Sequence, residues 1–332
     1  MTPEALFNQF SQKKIIVLGD IMIDAYIHGN VERVSPEAPV PIVNFTKSEN
    51  RLGGAANVAL NLVSLGAKVT INAIIGTDKE ASILQHLLND NHISTEGLIQ
   101  SSERITTIKT RVLGNHQQLL RIDQEHTHDI SKKEEDAVLK KLENLLQQGY
   151  DAIIFQDYNK GLLTQSLIEK SIALAQKYKV VTTVDPKLKN FMTYKGVTLF
   201  KPNLKELGEG TRTKLDFEKD RKSFELAIKT LQAQLHAEII FTTMSAHGVF
   251  IDNGKENYHI PAHIRNITDV SGAGDTVISV ATLCLACGLS LKNIAEFANL
   301  AGGIVCEYRG VVAINSDRLL EESNQIQIDV VE

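Results

Sequence analysis

Short apolar runs, each ending in a polar residue, limit what this chain can fold into. Lys14 to Asp20 reads Lys-Ile-Ile-Val-Leu-Gly-Asp; Ala152 to Phe155 runs into Gln156-Asp157; Val180 to Val184 runs into Asp185-Pro186-Lys187; Glu238 to Thr243 runs into Met244-Ser245. Val69 to Ile75, closed by Gly76-Thr77-Asp78, and Val197 to Lys201 are of the same kind. Apolar runs of this length without polar alternation are strands covered on both faces, the habit of a parallel sheet. Between them lie helical stretches, Lys132 to Gln148 after the cap Ser131 and Phe217 to Leu235. Strand–helix alternation demands right-handed crossovers and helices on both sides of the sheet. Asp157, Asp185, Asn203 and Thr243 then share one rim, where open α/β sheets bind ligands. Asp20 and Asp24 follow the first strand and are candidate contacts too, although Asp in a loop is commonly a turn residue.

Two segments interrupt the alternation. Tyr26 to Asn50 carries Pro36, Pro39 and Pro41, which exclude helix and central strand. Ile105 to Glu125 alternates polar and apolar residues around Gly114-Asn115, a hairpin pattern. Together they predict a small sheet apart from the core. His259 to Thr268 reads as a polar strand, apolar helices cover Ala273 to Gly288 and Leu291 to Glu307, and the last five residues are expected to fray.

Composition excludes several classes. An apolar fraction of 43% and a charged fraction of 23% are those of an ordinary globular protein. With a net charge of −5 and scattered basic residues, neither nucleic acid nor an anionic membrane is the expected partner. The longest apolar stretch, Val277 to Leu291, is shorter than the ~20 residues a membrane span needs. Met1 to Lys14 lacks the apolar core of a signal peptide, so a cytoplasmic location is expected. Cys284, Cys287 and Cys306 are too few and too odd in number for a disulfide framework. Cys284 and Cys287 sit in an apolar helical run, as small buried residues.

The chemistry concentrates at two glycine-rich helix starts. In Asp269-Val270-Ser271-Gly272-Ala273-Gly274-Asp275-Thr276, the glycines let backbone N–H groups approach a ligand closely. Those groups are the unpaired donors of a helix start, with the positive end of its dipole behind them, and they suit a phosphate. Asp275, a carboxylate within such a cradle, points to a chemical role in taking the proton of a hydroxyl that attacks phosphorus. The plain alternative is a capped, glycine-eased helix start. Gly53-Gly54-Ala55-Ala56-Asn57-Val58-Ala59 opens a second helix, which ends near Leu65 with Gly66 as its cap. From these residues alone, Asn57 as a sugar contact and the glycines as helix–sheet packing weigh equally. There is no G-x-x-x-x-G-K-[ST], no G-x-G-x-x-G after the first strand and no protein-kinase signature.

The two glycine stretches, in this order and with Asn203-Leu204-Lys205-Glu206 between them, resemble the signatures of the ribokinase-like (PfkB) carbohydrate kinases. The resemblance runs from about Ile15 to Ile314. Gly19-Asp20-Ile21-Met22-Ile23-Asp24, Arg33 to Pro41, Asp157-Tyr158-Asn159-Lys160-Gly161 and Asp185-Pro186-Lys187 are similar to the branch that phosphorylates D-glycero-β-D-manno-heptose 7-phosphate. That branch makes the 1,7-bisphosphate for lipopolysaccharide core heptose. The chain ends at Glu332 without an H-x-G-H-type nucleotidyltransferase motif, so a stand-alone kinase is expected.

The resemblance implies one three-layer α/β domain over residues 1–332, with a mostly parallel central sheet. A small β lid, about 26–51 and 105–124, closes over the sugar and serves homodimerisation. It implies ATP and Mg2+. Asp275 is the base, and the N–H groups of Gly272, Ala273 and Gly274 hold the charge on the transferred phosphoryl group, on the order of 3–4 kcal/mol each. Asn203 and Glu206 serve the phosphates and magnesium shell, while Thr243, Gly248 and Asn299 line the nucleotide pocket. Asp24, Gly53, Gly54, Asn57, Asp157 and Lys160 hold the sugar. Lys187 is assigned to the nucleotide side; with Arg33, Arg51, Arg111 and Lys160 it is also a candidate for the sugar phosphate. Asp269 and the Ser271 carbonyl match the monovalent-cation site, for K+, of some members. Other kinases of the family, acting on ribose, fructose phosphate or adenosine, are the alternative. A non-catalytic sugar-binding regulator is a third, against which the intact Asp275 argues.

Overall fold

The computed structural model describes residues 1–115 and 117–331. In chain order the elements begin with α1 (Pro3–Phe10), β1 (Lys14–Gly19), β2 (Ile21–Val34), β3 (Pro41–Gly54), α2 (Ala55–Ser64), β4 (Lys68–Ile75), α3 (Lys79–Asp90) and β5 (Ser94–Gln100). Then come β6 (Ile108–Gly114), β7 (Gln117–Gln124), α4 (Lys132–Leu146), β8 (Ala152–Gln156), α5 (Gln165–Tyr178), β9 (Val181–Asp185) and β10 (Leu199–Phe200). The last third holds α6 (Leu204–Thr211), α7 (Arg221–Leu235), β11 (Ile239–Thr243), β12 (Val249–Asp252), β13 (Asn257–Ile260), α8 (Ala273–Ala286), α9 (Leu291–Val305) and α10 (Ser316–Gln325).

The core sheet is ordered β13-β12-β11-β10-β9-β8-β1-β4-β5. Its strands are parallel from β5 to β11, and β12 runs back antiparallel to β11 and β13. The apolar runs explain this: Ile15 to Leu18 and Ala152 to Phe155 are wholly buried, so both sheet faces are covered. Side-chain caps start the helices at Asp78, Ser131, Thr164, Asn203, Asp220, Ser290 and Asn315. α2, α8 and α9 pack together on one face of the sheet, with α10 against α9 and α1 against α10; α4 and α5 pair on the other face, as do α6 and α7. Parallel packing places the ends of β8, β9, β10 and β11 side by side, so the predicted rim exists.

The small sheet is ordered β3-β2-β6-β7. β2 and β3 begin and end deeper in the core than residues 26–51 suggested, because Ile21, Met22, Leu52, Gly53 and Gly54 are buried where the ribbon leaves the core. β7 is exposed along its whole length. His259 to Thr268 is a correction: β13 stops at Ile260, and Pro261 lacks the N–H that would continue the ladder. The irregular stretch beyond is held by Thr268 and Asp269 N–H groups donating to the Cys306 carbonyl at 2.8 and 3.1 Å. The C-terminal segment, expected to fray, is tied down: Val331 N–H donates to Asn293 Oδ1 at 2.7 Å, and the Met1 amine to the Val330 carbonyl at 3.0 Å. α1, β5, α6 and α10 have no counterpart among the elements expected from the sequence. Among the described residues no helix is long and apolar enough to cross a membrane.

Gly248, between β11 and β12, has φ +79° and ψ −132°, and a Cβ there would lie 2.0 Å from the Ile260 carbonyl oxygen. Gly149 has φ +75°, with nothing near its Cβ position. Gly248→Ala is therefore expected to lower stability by about 3 kcal/mol or more, and Gly149→Ala by only about 1 kcal/mol. Urea unfolding of the two variants checks this; equal losses would refute the steric assignment.

Candidate active site

Asp275 lies in the first turn of α8 and is buried. Its Oδ2 accepts from Asn57 Nδ2 at 2.7 Å, and its Oδ1 from Gln156 Nε2 and from the Tyr158 hydroxyl, both at 3.0 Å. The glycine-paired start of α2 thus delivers Asn57 to Asp275 itself, where the sequence suggested a sugar contact. Burial pushes the Asp275 carboxyl up to about 6, helped by Asp185 and opposed by Asn57, Tyr158 and Lys201. The same burial raises the Tyr158 phenol well above its ordinary value, so it stays protonated and donates.

Above Asp275, Gly272 caps α8 with φ +80° and offers no side chain. A Cβ on it would lie 3.1 Å from Val311 Cγ1 and 3.2 Å from Asn57 Nδ2. Among the described residues, Gly272 and Gly274 N–H groups make no backbone hydrogen bond, as an anion cradle requires. Ala273 is a correction: its N–H closes a turn on the Val270 carbonyl at 3.3 Å, so two of the three expected donors remain. Asp269 braces the corner from behind, accepting from Ser271 N–H and Gly310 N–H, both at 2.9 Å.

Beneath the cradle is an ion pair that sequence reasoning missed. Lys201 Nζ lies 3.1 Å from Asp185 Oδ1, with 3% of the lysine side chain exposed. Both groups are 3.7 Å from where a Gly274 Cβ would be. Gln156 Nε2 reaches Asp185 Oδ2 at 3.3 Å as well as Asp275, so one amide joins the two carboxylates. The available signal was a polar residue closing each all-apolar strand; nothing in the sequence told which face it would take.

On the lid side, Asp24 pairs with Arg111, and the guanidinium groups of Arg111 and Arg51 stack on Tyr26 at 5.4 and 4.8 Å. A Cβ on Gly53 would lie 2.3 Å from Asp24 Oδ2, and one on Gly54 2.5 Å from the Asp20 carbonyl. The glycines are thus required by the protein's own close packing at the root of the lid. Lys160 pairs with Glu125 at 2.7 Å, Arg51 with Glu49, and Arg33 is exposed on β2. Asp157 departs from its expected role. It is buried, and its oxygens accept from Asn159 N–H, Asn190 and Tyr194 at 2.8, 3.2 and 2.9 Å. Asp20 is likewise turned inward, accepting from Tyr158 and Lys160 N–H groups at 3.0 Å.

On the far side of the rim, Asn203 and Glu206 form a reciprocal capping box, and Glu206 Oε1 pairs with Lys187 at 2.8 Å. Asn203 bridges to Thr243. A groove of about 770 Å³ opens beside them, lined among others by Lys205, Arg212, Thr243, Ser245 and His247. Asn299 donates to the Pro261 carbonyl at 2.8 Å and Gly248 is set by the strand turn, so both shape the chain here. Magnesium on a nucleotide keeps most of its water and takes one or two carboxylates; Glu206, whose oxygens accept from Asn203 N–H and Lys187, is a carboxylate of that kind on this side of the rim. Among the described residues no cluster of three or more His, Cys, Asp or Glu forms a metal cage.

The family model for pfkB family carbohydrate kinases matches residues 12–318. The bifunctional protein HldE of Desulfatibacillum aliphaticivorans is 40% identical over 311 residues, 93% of this chain and 63% of that protein. HldE of Methylobacillus flagellatus is 39% identical over 308 residues, 93% and 62% respectively. The chain thus spans somewhat under two thirds of the length of these relatives. Phosphofructokinase-2 from Escherichia coli in complex with potassium superposes with a TM-score of 0.79 at 18% identity, covering 95% of this chain and 99% of that one. Arabidopsis thaliana ribokinase complexed with ribose and ATP gives 0.70 at 14%, covering 93% and 99%. These likenesses establish the ribokinase-like fold. The chain belongs to the pfkB family of carbohydrate kinases.

Proposed function

We propose that the chain transfers the γ-phosphoryl group of ATP to the anomeric O1 of D-glycero-β-D-manno-heptose 7-phosphate, giving the 1,7-bisphosphate and ADP for lipopolysaccharide core heptose. The observation that carries this reading is the surroundings of Asp275. The stretches that resemble the heptose kinases, 157–161 and 185–187, contribute Tyr158 on Asp275, Asp185 one amide away and Lys187 on Glu206.

In this mechanism O1 attacks the γ-phosphorus, its proton passes to Asp275, and the bond to ADP breaks. Gly272 and Gly274 N–H groups and Lys201 face the charge spread over the transferred oxygens. Magnesium, held through Glu206, would neutralise the phosphates. Asp269 and the Ser271 carbonyl supply the monovalent-cation position. Closure of the lid over the sugar excludes water and protects ATP from hydrolysis. The lid also supports a homodimer in this reading. Phe45, Leu120 and Ile122 are about half or more exposed on it, and the open edge of β7 is a template for a partner strand.

ADP release is expected with the heptose 7-phosphate and not with ribose, fructose 6-phosphate or adenosine; the reverse pattern would sink the heptose assignment. In the same assay, turnover unchanged when sodium replaces potassium would remove the cation from the mechanism. Asp275→Asn should lower kcat by roughly 10²–10⁴-fold while ATP still binds. Because the base must be ionised, wild-type kcat should fall as pH drops through about 6. Near-normal turnover of the variant, or a flat acid limb in wild type, would refute the role. Light scattering at micromolar concentration should give twice the 36.7 kDa chain mass; a monomer would count against the lid interface.

A further inference from the structure

We infer that Tyr158 is a positioning residue for the base: with Gln156 it occupies Asp275 Oδ1, so that Oδ2 alone is presented to the attacking hydroxyl. This rests on the reading of Asp275 as the base. A carboxylate oxygen has two lone pairs. Oδ1 accepts from both Gln156 and Tyr158, and Oδ2 only from Asn57, which leaves one acceptor site, on Oδ2.

Neither donor to Oδ1 is free to turn away. Gln156 directs its NH₂ group at Asp275 and Asp185 together, while its Oε1 is buried without a partner. The opposite amide orientation would set a carbonyl oxygen against two carboxylates. Tyr158 is fixed through its backbone. Asp20 accepts from Tyr158, Lys160 and Leu162 N–H groups, and Asp157 accepts from Asn159 N–H. Two buried carboxylates thus pin the loop that carries the phenol. The Lys160 end of the loop is tied to the lid stem by Glu125 and by Arg104, which donates to the Lys160 carbonyl.

The charged groups around Asp275 come from two strand ends: Asp185, the last residue of β9, which raises its proton affinity, Lys187 just beyond it, whose Nζ lies 5.9 Å from the Tyr158 ring, and Lys201 after β10, which lowers it. The Tyr158 hydrogen bond favours the ionised carboxylate, so its removal should raise the proton affinity of Asp275.

The test is Tyr158→Phe, which removes one hydroxyl. The Asp275 carboxyl is titrated by ¹³C NMR in aspartate-labelled wild type and variant, its resonance assigned by its loss in Asp275→Asn. The midpoint should move up by about one pH unit. With the heptose 7-phosphate as substrate, kcat should fall about tenfold and KM stay within about twofold. Gln156→Met, which removes the other donor to Oδ1, should move the midpoint the same way. An unmoved or lowered midpoint in Tyr158→Phe overturns the inference, whatever happens to turnover, and a raised KM with lower melting temperature at constant midpoint would mean a merely structural contact. The titration needs no substrate, so failure of the heptose assay leaves it standing and sinks only the proposed reaction.

Discussion

Taking the Asp275 carboxylate out of water penalises its charge, and the groups around it answer that penalty. Left with no partners, the group would stay protonated, and the proposed role as base would be closed to it. Asn57, Gln156 and Tyr158 give it hydrogen bonds, and the positive charge of Lys201 only partly counters the negative charge of Asp185. The outcome is a carboxyl near pH 6, ionised under physiological conditions yet more basic than a surface aspartate. Each donor comes from a different element: the start of α2, the end of β8 and the loop after it. These surroundings of Asp275 therefore exist only when the parallel sheet and the α2–α8 layer are assembled.

The same economy of parts links the small sheet to Asp275. Gly53 and Gly54 end β3, allow Asp24 and the Asp20 carbonyl to approach within a Cβ's reach, and open the helix that carries Asn57. The loop 157–162 meets the stem of the small sheet at Lys160 and Asp275 at Tyr158. The backbone N–H groups of that loop are held by Asp20 and Asp157. The inward turn of those two aspartates, which looked like ligand contacts in the linear chain, gives that loop its rigidity.

Much of the fold is legible in the linear chain. β1, β4, β8, β9 and β11 announce themselves because strands buried on both faces have no polar alternation. Ser131 and Asp78 announce helices because a capping side chain must precede the first turn. α1, β5, α6 and α10 escape notice for the opposite reason. They lie at the margins of the sheet or layer, with half-exposed patterns that packing decides and periodicity does not. Pro261 ends β13 early for a local reason that the polar character of 259–268 conceals.

By itself the sequence determined the two glycine-rich helix starts, the Asn-x-x-Glu element between them and the rim on which they sit, since each depends on residues close together in the chain. Tertiary structure alone decided which polar groups on that rim meet. It turned Asn57 onto Asp275, bound Asp185 to Lys201 and folded Asp157 away against Asn190 and Tyr194. It also closed the Ala273 N–H on Val270 while leaving those of Gly272 and Gly274 open. Successive residues at a strand end point to opposite faces, so a one-residue difference separates a group in the cleft from one in the core. That register is set by the packing of neighbouring strands, which no local pattern records.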